Sequence, residues 1–403
     1  MGSKPPRSGG GRNNKMHILE HEIHVTFRYP VYFSRDVFDS SNPLVLKAAP
    51  SAVAPRPARV LFVVDSGVSE AHPGLVESIS RYCRDHAGAL ELAGQVLVIP
   101  GGEQVKNDPA PTQQVLQAIH DASLDRHSYV AAVGGGAVLD VVGYAAAMAH
   151  RGIRLLRFPT TVLAQDDSAV GVKNGINAFG QKNYLGTFTA PFAVVNDASF
   201  LATLSDRDWC GGLSEAVKAA LIKDHTFFAV IEELAPRLAD RDMMAMEQVV
   251  RQSAALHLQH IATAGDPFEQ GSSRPLDFGH WAAHKLERLT GHRLRHGEAV
   301  AIGLALDTTY SHLSGFLAEG DWRRVISLLR GLKLAVYAPE LHSRVGDQPA
   351  ILKGLDEFRE HLGGRLTIML LRAIGVPFDA HEIDKGVMLG SVEVLRSIQA
   401  GQS

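Results

Sequence analysis

The sequence predicts two domains in series, an α/β domain with a mostly parallel sheet followed by a mainly helical one. Three observations carry this reading. Short apolar runs rich in β-branched residues recur through the first half: RVLFVVD (59–65), QVLVIPGG (95–102), YVAAVGGG (129–136), IRLLRFPTT (153–161) and FAVVND (192–197). Their hydrophobicity is continuous rather than alternating, which marks strands buried on both faces and hence a parallel sheet under helices. Beyond about Leu201 that signal fades, and long stretches such as 214–234 and 296–316 carry helical periodicity. The boundary is expected between Ser199 and Asp206, giving domains of 16–200 and 201–403.

Composition bounds the function classes. The chain has 403 residues, 45% hydrophobic and 21% charged, the profile of a globular protein large enough for two cores. A net charge of −3 offers no footprint for nucleic acid or an anionic membrane. No apolar run reaches the roughly 20 residues that a membrane span needs. The 2 cysteines, Cys83 and Cys210, lie far apart, which fits a reducing cytoplasm and no disulfide framework. Residues 1–15 lack the apolar core of a signal peptide and read as a disordered arm or tag, with Met16 available as a native start.

Taken in order, the first strand run ends at Asp65, where a carboxylate can accept ribose hydroxyls. The second closes on a glycine turn followed by Glu103 and Lys106. The third ends in Gly134, Gly135 and Gly136 and leads into AVLDVVGYAAAMAH, a good helix carrying Asp140. Glycines there let backbone N–H groups approach a pyrophosphate, whose charge a helix N-terminus favours. The spacing is GGGxxxD rather than GxGxxG, so tight turns needing only glycine's freedom explain the same letters. The stretch 159–188 is dense in polar groups, among them Thr160, Thr161, Asp167, Lys173, Asn177, Lys182 and Asn183. A solvated loop accounts for that composition. So does an anion cradle, with lysines as point charges and asparagine as a donor.

In the helical half, Glu215 and Lys218 are 3 apart and share a face, as do His280 and His284, which are 4 apart. His296 opens the next helical stretch. One carboxylate with two or three imidazoles is the donor set of a catalytic zinc-type site, with three protein ligands and open positions. With 19 histidines in the chain, chance grouping is the competing explanation.

Seven motifs in sequence order then carry a resemblance. GGGxxxD (134–140), RG(x)6PTT (151–161), QxDSxVGxK (165–173), KNxxGxF (182–188), GLxEAxK (212–218), DFGHxxxHxxE (277–287) and HGEAVAIG (296–303) resemble 3-dehydroquinate synthase and the wider sugar phosphate cyclases. The match runs from about Arg59 to Thr308. It implies a Rossmann-like NAD-binding α/β domain, a mainly α-helical metal-binding domain and a homodimer. It also implies a sugar phosphate substrate and NAD with Zn2+ or Co2+ as cofactors. The enzyme class would be a carbon–oxygen lyase acting on phosphates. Glu215, His280 and His296 would be the metal ligands. Lys218 would sit near the reacting carbon, Lys173 and Asn183 would meet substrate phosphate or hydroxyls, and His284 would help bind phosphate. Arg151 matches an arginine that reaches the neighbouring subunit's phosphate site. Asp65, Glu103, Lys106, Gly135, Gly136, Asp140, Thr160, Thr161, Ser168 and Thr203 would hold NAD, with Asp167 and Lys182 at its nicotinamide edge.

The chain departs from dehydroquinate synthase at three places. The family's LNxGH reads LDFGH here, with Asp277 for the asparagine, and its upstream arginine position is Ser273, beside Arg274. Seven residues before Asp266 the family carries a lysine and this chain Gln259, and a late DKK is replaced by Phe358, Arg359 and Glu360. A carboxylated substrate needs paired cationic donors once desolvated, and a lost lysine with a gained aspartate disfavours it. LDFGH and the segment 28–45 resemble C7-cyclitol synthases that use sedoheptulose 7-phosphate. Those making 2-epi-5-epi-valiolone replace the second histidine by proline, whereas His284 is retained here. The expectation is therefore a synthase of the 2-epi-valiolone type, or a dehydroquinate-synthase-like protein of bacterial secondary-metabolite clusters. The alternatives are 3-dehydroquinate synthase, a metal-dependent polyol dehydrogenase and a non-enzymatic scaffold.

Overall fold

The computed structural model describes residues 18–53, 55–263, 268, 275–361 and 366–401. The 1–15 arm, Asp266, Ser273 and Arg274 lie outside the described residues.

The first half runs β1 (Val31–Ser34), α1 (Leu44–Ala48), β2 (Ala58–Asp65), α2 (Ser66–Ala71), α3 (Leu75–Asp85), β3 (Leu90–Leu92), β4 (Leu97–Ile99) and α4 (Pro109–Asp121). It continues as β5 (Tyr129–Gly134), α5 (Gly136–Met148), β6 (Arg154–Pro159), α6 (Val162–Asp166), β7 (Lys173–Ala178), β8 (Gln181–Phe188) and β9 (Ala193–Asp197). Seven strands form one sheet in the order β1-β9-β6-β5-β2-β3, with β4 also on β2, and every pairing is parallel. The continuous apolar runs have the predicted cause. Along β2, Val60, Phe62 and Val64 enter a core with Ile79 and Tyr82 of α3. Leu61 and Val63 enter a second core with Val115 of α4 and Val142 of α5.

Three features differ from the expectations. The run 95–102 yields a strand only at Leu97–Ile99, because Gly101 and Gly102 turn the chain away. Gly102 has φ +78°, and a Cβ on Gly101 would lie 2.0 Å from Asp65 Oδ1. The four-residue edge strand β1 was not among the predicted runs. The polar stretch 159–188 is neither open loop nor featureless cradle, since it folds as α6 and the antiparallel hairpin β7–β8, with Lys173 opposite Phe188.

The second half is α7 (Asp206–Lys223), α8 (His225–Ala239), α9 (Met243–Thr263), α10 (His280–Leu289), α11 (His296–Leu313) and α12 (Glu319–Gly331), then β10 (Arg344–Val345) and β11 (Gln348–Pro349). The hairpin β12 (Ile368–Ala373) and β13 (Val376–Ala380) lies between α13 (Ala350–His361) and α14 (Lys385–Ala400). Ser205 starts α7 as its N-cap, its side chain accepting the Asp208 N–H. One apolar cluster unites α7 through α14, and α11 is buried along most of its length.

Candidate active site

The α/β sheet's carboxyl-terminal edge and the helical half face each other across a cavity of about 970 Å3. Its lining includes Asp65, Glu103, Lys106, Gly135, Gly136, Asp140, Thr160, Thr161, Asp167, Ser168, Lys173, Lys182, Asn183, Thr203, Lys218, Asp277, His280, His284 and His296. Every predicted site residue but two is on this surface. Glu215 lies just beneath it, buried, and Arg151 lies apart on an exposed turn beside Arg126 and His127.

On the sheet side, Gly135 caps α5 and Gly136 begins it. A Cβ on Gly136 would be 2.9 Å from Ser168 Oγ, so glycine here admits the 168 turn. Asp65 accepts the Gly67 N–H at 2.9 Å and caps α2. Thr161 caps α6, accepting the Ala164 N–H at 3.2 Å, and Thr203 Oγ1 meets His72 Nε2 at 2.8 Å. Lys106 is buried and lies 2.6 Å from Asp140 Oδ2, with Asn183 Oδ1 on the same ammonium. Burial raises the Asp140 carboxyl, and Lys106 opposes it. The Lys182 ammonium stands between Glu287 Oε1 at 3.0 Å and Glu103 Oε1 at 3.8 Å. Glu103, Lys106, Asp140, Lys182 and Asn183 therefore form one polar cluster rather than separate contacts.

On the helical side, α7 presents Glu215, and α10 and α11 present His280 and His296. Glu215 Oε1 is 3.5 Å from His280 Nε2 and 3.4 Å from His296 Nε2. Tetrahedral zinc bonds of about 2.0–2.1 Å space neighbouring donors about 3.4 Å apart, so these separations fit a shared divalent cation. Glu215 Oε1 is buried with no well-aligned hydrogen bond, which suits it to a metal-ligand role. Burial would raise the Glu215 carboxyl, but Lys218, His280 and His296 hold it well below the usual carboxylate range. Burial works against the charge of His296, as does Lys182, yet Glu287 and Glu215 raise it to about 9. That proton is the positive charge a cation would replace. Lys218 Nζ lies 2.5 Å from Glu215 Oε2 and 3.9 Å from Asp167 Oδ1. Burial disfavours its charge, but Asp167 and Glu215 more than reverse this and keep it an ammonium. His284 stands on the cavity wall, its ring 5.7 Å from His280 and 6.1 Å from His296. Desolvation in the cleft and then His280 push its imidazole well down, an effect tempered by the solvent its open face admits.

Four residues were missed by sequence reasoning. Arg157, 1% exposed on β6, donates to Ala169 O at 2.8 Å, Gly171 O at 2.7 Å, Lys173 O at 3.2 Å and Asn174 Oδ1 at 2.6 Å. It thereby anchors the turn bearing Ser168 and Lys173. A charged letter inside the apolar run IRLLRF was the available signal. His257 and His260 of α9 line the cavity, and His257 Nδ1 is 2.7 Å from Asp167 Oδ1. Glu287 carries Lys182 and faces His296.

Two of the positions that depart from the family pattern lie away from the cavity. Gln259 does not stand at the cavity. It is exposed on the far side of α9, because residues 257, 260 and 261 take the inner face of the helix. Phe358 does not line the main cavity either. It closes a small void behind Asp277 and Trp281, while Arg359 pairs with Asp356 at 3.5 Å.

With this geometry in place, comparison with known proteins defines the class. Residues 96–210 match the 3-dehydroquinate synthase N-terminal domain and 212–347 its C-terminal domain. The chain is 34% identical over 351 residues to a 3-dehydroquinate synthase of Cereibacter sphaeroides, covering 86% of this chain and 92% of that one. For the 3-dehydroquinate synthase of Ruegeria pomeroyi the figures are 33% over 356 residues, 87% and 94%. The chain belongs to the dehydroquinate synthase-like family of sugar phosphate cyclases. Among solved structures it is similar to the 2-epi-5-epi-valiolone synthase of Streptomyces hygroscopicus subsp. jinggangensis with NAD+ and Zn2+ bound. There the TM-score is 0.83 at 28% identity, over 94% of this chain and 100% of that one. A probable glycerol dehydrogenase of Sinorhizobium meliloti shares the fold alone, at TM-score 0.59 and 16% identity over 92% of this chain and 97% of that one. Among the described residues no helix is long and apolar enough to cross a membrane.

Proposed function

We propose that this cyclase acts on a ketoheptose phosphate without a carboxylate, sedoheptulose 7-phosphate, and forms a C7-cyclitol of the 2-epi-valiolone type with NAD and Zn2+ or Co2+. The carrying observation is Asp277, which lines the cavity beside His280 and adds its negative field to that around Lys218. Three cavity lysines are already matched by carboxylates: Lys106 by Asp140, Lys182 by Glu287 and Lys218 by Glu215. A substrate carboxylate brought near Asp277 would meet repulsion where it needs donors, whereas a hydroxymethyl group meets an acceptor.

When bound, the metal lowers the pKa of a substrate hydroxyl and the nicotinamide takes and returns the hydride of its carbon. The chain's own residues do the rest. Glu215, His280 and His296 fix the metal; Gly135, Gly136, Asp140 and Lys106 form the dinucleotide side. The Lys218 ammonium, held by Glu215 and Asp167, is a donor for developing charge on a substrate oxygen. Lys173, Asn183 and His284 receive the phosphate end, with Arg151 supplied by a second copy of the chain. With those groups bound, transient oxidation would acidify the neighbouring C–H for elimination of phosphate, and re-reduction, ring opening and intramolecular aldol closure would follow. The net reaction is that of a lyase on a dehydrogenase-like fold.

The test is incubation with sedoheptulose 7-phosphate and, separately, with the carboxylated heptulosonate phosphate. Phosphate release, NADH absorbance and product NMR are read for each. Phosphate release from sedoheptulose 7-phosphate without net NADH is expected. Turnover of the carboxylated sugar alone would make the protein a 3-dehydroquinate synthase, and accumulating NADH would make it a dehydrogenase.

A further inference from the structure

His296 turns its two ring nitrogens to two different carboxylates. Nε2 is 3.4 Å from Glu215 Oε1, and Nδ1 is 3.3 Å from Glu287 Oε2. Glu287 follows His280 by seven residues on α10, so the helix that supplies one ligand also braces another. Its side chain is 4% exposed. Oε1 takes the Lys182 ammonium at 3.0 Å, while Oε2 is buried with no hydrogen bond of good geometry. His284, Glu287 and His296 are close enough to be read as a second cation group. The charges argue otherwise. A second dication there would lie beside the Lys182 ammonium, and it would need the second proton stripped from the His296 imidazole already committed to the first ion. A carboxylate accepting N–H from a metal-bound histidine meets neither objection.

We infer that Glu287 is a positioning residue of the metal site. It accepts the Nδ1–H of His296, which leaves the Nε2 lone pair for the metal, and Lys182 keeps the carboxylate from rotating away. Because Glu103 shares Lys182 at 3.8 Å, the brace also spans from the dinucleotide side of the cleft to the metal side. The inference rests on the metal part of the proposed function.

The experiment uses the full chain, stripped of metal with a chelator and titrated with Co2+. Visible absorption and competition against a chromophoric chelator are the readouts. Wild type takes one Co2+ per chain. Glu287→Gln weakens the affinity about 10- to 100-fold, with the saturated spectrum retained because the ligands are unchanged. Lys182→Met weakens it less, since the carboxylate remains. Nitrogen chemical shifts of 15N-histidine-labelled wild type show His296 protonated at Nδ1 and metal-bound at Nε2, a readout that needs no variant to fold. An unprotonated Nδ1, a Glu287→Gln affinity within twofold of wild type, or two Co2+ per chain with one lost in Glu287→Gln overturns the inference. Wild type that binds no Co2+ overturns it together with the metal reading, whereas the other three outcomes leave that reading standing.

Discussion

Gly297→Ala tests how the metal triad is held. Gly297 follows His296 at the start of α11, and a Cβ there would lie 2.0 Å from the Gly211 carbonyl oxygen and 2.6 Å from its carbon. Side-chain carbons do not approach closer than about 3.0 Å, so α11 must retreat from α7 by about 1 Å. Glu215 is one turn beyond Gly211 on α7, so the retreat pulls His296 from Glu215. Metal–ligand distances tolerate about ±0.2 Å, and a misplacement of about 1 Å can lower turnover about 100-fold. Overpacking adds a destabilisation of about 1–3 kcal/mol. The comparison variant is Gly143→Ala, whose Cβ would meet Asn174 Oδ1 at 1.9 Å, a contact that involves no residue of the triad. Both variants lose stability in urea unfolding, but only Gly297→Ala loses Co2+ affinity. Equal loss of stability with wild-type Co2+ affinity in Gly297→Ala would refute the argument that this backbone contact sets the ligand geometry.

Glu215→Ala and His296→Ala should each lose bound metal and turnover while keeping the far-ultraviolet circular dichroism of the fold; unchanged metal content would show the ligand assignment wrong. Arg157→Met strips donors from three carbonyls and Asn174, and should destabilise by about 3–5 kcal/mol in urea while raising KM for the sugar phosphate. Unchanged stability and KM would mean the turn holds itself. Asp307 is buried on α11, and burial pushes its carboxyl up to about 7 against hydrogen bonds from Trp281 and Gly279. The folded value exceeds the unfolded 3.8, so this stability is complete below about pH 4 and is lost as pH rises to 7. Asp307→Asn removes the titration, and its stability relative to wild type should rise by about 4 kcal/mol across that window. A pH-independent difference between the two in urea midpoints would contradict it.

Much of the site was legible in the sequence because its chemistry is carried by contiguous motifs on regular elements. Glu215 and Lys218 share a helical face at a spacing of three, and GGGxxxD joins a strand to a helix, whatever the rest of the chain does. The hairpin β7–β8 was not legible. Its glycines, asparagines and lysines mask the alternation of a strand that is largely exposed, and such a strand carries little hydrophobic signal. That Gln259 turns away from the cavity was not legible either, because each residue step on a helix turns a side chain about 100° and only packing fixes which face lies inward.

The letters themselves determined the parallel sheet and the helical second half, while the family resemblance pointed to Glu215, His280 and His296 as metal donors. The first two follow from periodicity and from residue type, both of which are local. The tertiary structure decided which nitrogen of His296 faces which carboxylate, that Lys182 is shared between Glu103 and Glu287, and that Arg157 rather than solvent holds the 168–174 turn. It also decided that α11 packs closely on backbone, with Gly297 against Gly211 of α7 and Gly303 against Gly279, the N-cap of α10. These are pairings between segments distant in the chain, fixed by packing and desolvation, and no local pattern encodes them.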